Sequence, residues 1–175
     1  MNSKTLLKEI ILRSLDRGAF LKEIEKELGI GITKLLEKLE KDDLIKREGE
    51  LILPTKKGRS KIKVVLAGGV FDIIHPGHVY TLKKAKSLGD ILVVVVARDK
   101  TVIKMRGRKA VNDERLRLEL VSNLKPVDLA ILGSERNFFE VIEKVKPDII
   151  ALGYDQAHDE REFIEEGRKR GLEFK

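Results

Sequence analysis

Residues 63–78 read Lys63-Val64-Val65-Leu66-Ala67-Gly68-Gly69-Val70-Phe71-Asp72-Ile73-Ile74-His75-Pro76-Gly77-His78, and this stretch decides the fold. It opens with an apolar run of the kind that forms a buried strand. Gly68 and Gly69 follow, and they let the backbone approach a ligand closely. Pro76 and Gly77 stand where a helix begins, with proline at its favoured first position. Unpaired amides and the helix dipole make such a start attractive to an anion. His75 and His78 are three residues apart, so both can face one ligand and donate hydrogen bonds to phosphate oxygens. Two other readings of the pair remain open. One is a metal site completed by His158 or a carboxylate, which the absence of cysteine argues against. The other is a pair of structural histidines. No metal ligand set is assigned.

Moving outward, strands and helices alternate. Residues 91–97 are a second strand without polar alternation, as central parallel strands are. Helices are expected at 77–88, 113–123, near 138–146 and at 160–170, and further strands at 130–132 and 149–152. Residues 98–112 read as the loop after the second strand. This order predicts an α/β fold with a doubly wound parallel sheet. Ligands of such sheets bind at the carboxyl ends of the strands.

Residues 1–57 have a different pattern. Leu6, Leu7, Ile10, Ile11 and Leu15 form one helical stripe. Phe20, Ile24 and Leu28 form a second, and Ile32, Leu35, Leu36 and Leu39 a third. Residues 44–53 read as a hairpin turning near Gly49. Three short helices and a hairpin resemble a small winged helix-turn-helix domain. The expected organisation is therefore 1–57, a polar basic linker at 58–61, and 62–175. In a winged helix the third helix would meet DNA through Lys34 and Lys38, with Arg47 on the wing touching phosphates. Glu37, Glu40, Asp42, Asp43, Glu48 and Glu50 crowd the same region, so docking or dimerisation stands beside DNA binding as a role.

The 175 residues are 42% hydrophobic and contain no cysteine, which excludes disulfides and thiol chemistry. No 18-residue apolar run occurs, so no membrane span is expected. The start lacks a signal pattern, and a cytoplasmic protein is expected. Charged residues reach 37% and there is one glutamine, Gln156, a composition that points to a thermophilic source. The net charge of +7 is shared between the parts: 15 basic and 11 acidic residues in 1–61, 21 and 18 in 62–175. Such a mild excess suits an anionic ligand and equally describes a solvated surface.

The string Gly69 to His78 resembles the signature of the cytidylyltransferase-like nucleotidyltransferase superfamily, Gly-x-Phe-Asp-x-x-His-x-Gly-His, and every defined position matches. The likeness extends over about residues 62 to 175. Ala97-Arg98-Asp99 through Gly107-Arg108-Lys109 and Leu152-Gly153-Tyr154-Asp155-Gln156 look most like archaeal FAD synthetase. Glycerol-3-phosphate cytidylyltransferase is the nearest competing relative. The resemblance implies a Rossmann-like fold and a reaction in which ATP and FMN, with Mg²⁺, give FAD and pyrophosphate. The rival is CTP with an alcohol phosphate, and a nucleotide- or flavin-sensing DNA-binding regulator is a third reading. His75, His78 and Lys104 would be catalytic, with Arg106 or Lys109 as substitutes for Lys104. Gly68, Gly69, Val70, Phe71, Arg115, Tyr154, Asp155 and Gln156 would bind the nucleotide. Val70 stands where many relatives carry Thr, so a hydroxyl contact is missing. A homodimer is expected. Relatives also hold the triphosphate with a Ser/Thr-rich helix start near the C-terminus, whereas no Ser or Thr follows Ser134. The expectation is a truncated form, a group supplied by another subunit, or weak ATP binding and slow turnover.

Overall fold

A computed structural model describes residues 1–152 and 160–171. The chain divides into two compact units, Met1–Lys63 and Val64–Lys175.

The first unit contains α1 (Ser3–Asp16), α2 (Leu21–Leu28), a 3₁₀ turn at Ile30–Ile32, α3 (Thr33–Lys41), and the hairpin β1 (Ile45–Glu48) and β2 (Leu51–Pro54). Asn2 caps α1 by accepting the Thr5 N–H at 2.8 Å. The hairpin is antiparallel, and Gly49 at its turn has φ +62°. Leu6, Leu7, Ile10, Ile11, Ile24, Ile32, Leu36, Leu39, Ile45 and Ile52 are buried. The second expected stripe is corrected at both ends, since Phe20 and Leu28 are exposed. The reason is local: Phe20 is extended ahead of α2 and bridges to Leu51, leaving Ile24 as the buried residue of this eight-residue helix.

The expected linker is also corrected. Lys56–Arg59 forms a short helix, α4, capped by Thr55, whose Oγ1 accepts the Gly58 N–H at 3.0 Å and donates to the Asp43 carbonyl at 2.7 Å. Gly58 is buried against Leu44, where a Cβ would lie 1.8 Å from the carbonyl oxygen. The segment thus packs within the first unit, and the glycine that looked like linker composition serves a close approach.

The second unit has a four-stranded parallel sheet in the order β5-β4-β3-β6. The strands are β3 (Val64–Gly69), β4 (Ile91–Val96), β5 (Leu129–Leu132) and β6 (Ile149–Ala151). The helices are α5 (Pro76–Lys86), α6 (Asp99–Arg106), α7 (Glu114–Ser122), α8 (Phe139–Val145) and α9 (Glu160–Lys169). All six residues of β4 are buried, as its unbroken apolar run requires. Val65, Ala67, Leu92, Val94 and Val96 pack with Leu82 and Ala85 of α5 and Val121 of α7. Asp128 and Asp148 tie neighbouring strands, accepting the Leu92 and Val64 N–H groups at 2.7 Å. From β3 the chain winds outward through β4 to β5 and returns to the other side of β3 for β6. The direction reverses between β3 and β6, and such a switch point opens a crevice at the carboxyl ends of the strands.

The loop expected after β4 is corrected to a helix over its first half. Arg98 is extended at the N-cap, Asp99 lies in the first turn, and Gly107 closes α6 in the left-handed region at φ +69°. Val102 is its one buried residue, too little apolar periodicity to read from sequence.

Candidate active site

The site grows from the end of β3. Gly68 and Gly69 finish the strand beside Val95 and Val96 of β4. A Cβ on Gly69 would stand 2.9 Å from the Phe71 ring, so this glycine makes room for it. Phe71 is buried and has φ +52°, a costly conformation for an aromatic residue. Its ring centroid lies 5.4 Å from that of His78.

His75 and His78 form a reciprocal cap on α5. His75 is the N-cap residue, and its Nδ1 accepts the Gly77 N–H at 3.2 Å. His78, at the third helical position, accepts the His75 N–H on its own Nδ1 at 3.4 Å. Histidines here fill the roles usually taken by Ser and Glu. The ring centroids are 4.0 Å apart. Because both Nδ1 atoms accept, the hydrogen-bond network assigns the proton of each neutral ring to Nε2. Pro76 supplies the first helical residue without a wasted N–H. Gly77 lies under the His75 ring, where a Cβ would meet Cε1 at 2.9 Å and Nδ1 at 3.0 Å.

Asp72 is bound to the segment after α6. Its carboxylate accepts the Val111 and Asn112 N–H groups, each at 2.9 Å, and its carbonyl accepts the Asn112 side-chain amide at 2.8 Å. The Asn112 and Val111 amides hold its pKa below the ordinary carboxylate value, and Arg117 and Arg106 lower it further. The segment after α6, which carries Arg108 and Lys109, is thereby pinned to the motif loop.

Behind the loop lies a charged network. Arg117 is fully buried on α7. It donates to the Val70 carbonyl at 2.7 Å, the Asn112 carbonyl at 3.0 Å and Asp99 at 2.6 Å. Glu114 accepts the Asp99 N–H at 2.9 Å and pairs with Arg98 at 2.6 Å. The Asp99 amide, and then Arg98, lower its pKa. Arg98 also donates to the Gly133 carbonyl after β5 at 2.9 Å. These bonds join the carboxyl ends of β3, β4 and β5 to the start of α7.

The structure therefore brings Gly68, Gly69, Val70, Phe71, His75 and His78 together. Lys104 is displaced from its expected loop to the last turn of α6, where it is exposed. Arg115 is exposed in the first turn of α7. Tyr154, Asp155 and Gln156, and the alternative ligand His158, lie outside the described residues. Among the described residues no group of three His, Asp or Glu side chains is placed to hold a metal. In the first unit Lys34 and Lys38 are exposed on α3, while Arg47 pairs with Glu40 at 3.0 Å. Sequence reasoning missed the network roles of Arg98, Asp99 and Arg117. The available signal was Arg117 itself, four residues before the buried Val121 and so on the face of α7 that packs on the sheet.

The chain is similar to known proteins in sequence and in structure. Residues 66–174 match a family described as cytidylyltransferase-like. The chain is 53% identical over 111 residues to an FAD synthase of Aciduliprofundum boonei, covering 63% of this chain and 74% of the relative. It is 57% identical over 111 residues to an FAD synthase of Ferroglobus placidus, covering 63% and 72%. A solved structure of a lipopolysaccharide core biosynthesis protein from Thermoplasma volcanium is similar with a TM-score of 0.63 at 51% identity, over 65% of this chain and 93% of that one.

Proposed function

We propose that this chain, which belongs to the cytidylyltransferase-like family, is a nucleotidyltransferase of the FAD synthase type, joining the AMP of ATP to FMN and releasing pyrophosphate. The observation that carries the reading is the paired-imidazole cap. Two rings 4.0 Å apart sit on a helix start at the end of β3, with both Nε2 atoms assigned as donors. The identity of 53–57% to FAD synthases supports the choice of ATP and FMN.

The chemistry follows from charge. A phosphate oxygen of FMN attacks the α-phosphorus of ATP in line. The bond from that phosphorus to the bridging oxygen of pyrophosphate breaks, and no enzyme-bound covalent intermediate is needed. Negative charge grows on the oxygens around the α-phosphorus. His75, His78 and the N-terminal end of α5 are aimed to offset it by hydrogen bonds and dipole. Arg108 and Lys109, on the segment tethered by Asp72, and Lys104 and Arg106 on α6 are the proposed partners of the leaving pyrophosphate. Gly68, Gly69, Val70 and Phe71 line the nucleotide, with Arg115, Tyr154, Asp155 and Gln156 assigned to the same ligand. Mg²⁺ would enter with ATP and would help to neutralise the charge of its phosphates.

The test is incubation with ATP or CTP, Mg²⁺ and FMN or alcohol phosphates, following pyrophosphate release. FAD formed from ATP is the expected product. Product from CTP and glycerol phosphate alone would move the assignment to a cytidylyltransferase.

The first unit supports a second activity. Three helices precede a hairpin, and Lys34, Lys38 and Lys41 are exposed on α3. We read it as a winged helix-turn-helix that meets nucleic acid through α3, with Arg47 demoted by its pairing to Glu40. Reversing Lys34 and Lys38 to Glu is expected to abolish retention on duplex DNA at low salt; unchanged retention would leave docking or dimerisation as its role. The proposed setting is a cytoplasmic homodimer of a thermophile, to be checked by solution mass and melting temperature. No described helix is long and apolar enough to cross a membrane.

A further inference from the structure

Arg117 has a side chain with no exposed surface, and it sits on α7 where that helix packs on the sheet. Burying a guanidinium is unfavourable unless its donors are met, and a well-packed apolar side chain often stabilises as much. The three bonds go to three separate segments: Nη1 to the Val70 carbonyl, Nε to the Asn112 carbonyl and Nη2 to Asp99 Oδ1. Asp99 balances the charge. The two carbonyl contacts add no charge balance; they fix the position of backbone.

That backbone is the seat of the histidines. Val70 immediately precedes Phe71, whose φ of +52° places its ring beside His78. Asn112 is held in turn by Asp72, the residue after Phe71. Arg117 thus closes a ring of contacts running Val70, Phe71, Asp72, Asn112 and back to its own guanidinium. A planar fork spans these acceptors, whereas a lysine ammonium on a single stem does not.

We propose that Arg117 is a positioning residue for nucleotidyl transfer, holding the Val70 carbonyl and the Phe71 turn so that His75 and His78 stand in register for the transferring phosphate. The proposal rests on the assignment of these histidines to the triphosphate.

The test uses the full chain with Arg117→Met and Arg117→Lys. Rates are taken per folded molecule, well below the melting temperature. In parallel, the ligand-free proteins are followed by proton–nitrogen correlation of the imidazole rings. Both variants are expected to melt cooperatively, and KM for ATP and FMN is expected to stay within roughly threefold while kcat falls, the signature of an interaction made in the transition state. The fall is on the order of 10²-fold, the effect of displacing a reacting group by about 1 Å. The His75 and His78 ring resonances shift. Should Arg117→Met fail to fold, Arg117→Lys, which keeps a charge for Asp99, decides alone. A folded variant with wild-type kcat overturns the proposal, and so does a slow variant with unshifted imidazoles, because the loss would then bypass the histidines. If the wild type releases no pyrophosphate with any acceptor, the functional assignment fails by itself. The ring resonances then still decide whether Arg117 sets the histidine pair.

Discussion

Replacing Gly77 by alanine should separate stability from activity. Gly77 has no positive φ, so its backbone does not require glycine. Alanine inside a helix gains about 0.5–1 kcal/mol over glycine. Against this, the new Cβ would lie 2.9 Å from Cε1 of His75, closer than such contacts occur, and a tight 3.0 Å from its Nδ1. The ring must swing aside, and the bond from the Gly77 N–H to Nδ1 is lost with it. Losing a side-chain N-cap costs about 0.5–2 kcal/mol. The two effects oppose each other, so net stability should change by no more than about 1.5 kcal/mol, a shift of at most roughly 10 °C for a unit of this size. Activity has no such compensation. The His75 ring leaves its place 4.0 Å from His78, and removing one preorganised donor costs on the order of 10²–10³-fold in kcat. The assay pairs thermal melts with pyrophosphate release at saturating ATP and FMN. A Gly77→Ala protein with wild-type kcat would refute the reasoning, because the capping position of His75 would not be the productive one.

Three further outcomes follow from the same geometry. His78→Ala should reduce kcat by on the order of 10²–10³-fold in a folded protein; a near-normal rate would remove His78 from the chemistry. Asp72→Asn should lower stability at pH 7 by about 2–3 kcal/mol through its two charge-assisted backbone bonds. The folded pKa of Asp72 is depressed, so its contribution is present above the unfolded carboxylate value of about 3.9 and is lost as pH falls through the folded value. The deficit of Asp72→Asn relative to wild type should therefore shrink in denaturant titrations from pH 5 toward pH 2, and a constant deficit would contradict it. Gly58→Ala should cost 1–63 about 3 kcal/mol or more, since its Cβ would overlap the Leu44 carbonyl at 1.8 Å; unchanged hydrogen-exchange protection in that unit would show the overlap is relieved without cost.

What was legible in the sequence was whatever a local pattern encodes. The unbroken run from Ile91 to Val96 announced a central strand because both faces are covered. Strand, glycines and Pro76 announced the helix start because cap chemistry is local. What stayed hidden depends on partners far along the chain. Asp72 was readable as a motif member, yet its partners Val111 and Asn112 lie 39 and 40 residues away. The same holds for Arg117, which reaches Val70 across 47 residues. Helix α6 was missed because one buried residue, Val102, leaves almost no periodicity, and Lys104 was misplaced with it. Phe20 and Leu28 fitted a helical stripe, but the bridge of Phe20 to Leu51 takes precedence over helix burial.

The spacing of the signature follows from what each position does in the turn. Gly69 clears space for the Phe71 ring, and Phe71 turns the chain at positive φ. Asp72 fastens that turn to the basic segment. Ile73 and Ile74 carry the chain to the N-cap, where His75 accepts from the backbone. Pro76 starts the helix, Gly77 leaves room for the His75 ring, and His78 returns a bond to the cap. Val70 contributes through its carbonyl, which Arg117 holds. The fold therefore does not require a hydroxyl at residue 70, and valine there leaves the loop intact. Most of the motif thus builds and braces one turn around His75 and His78, the pair proposed to meet the phosphates. For that reason substitutions at the bracing residues, Asp72, Gly77 and Arg117, should lower turnover without touching the nucleotide.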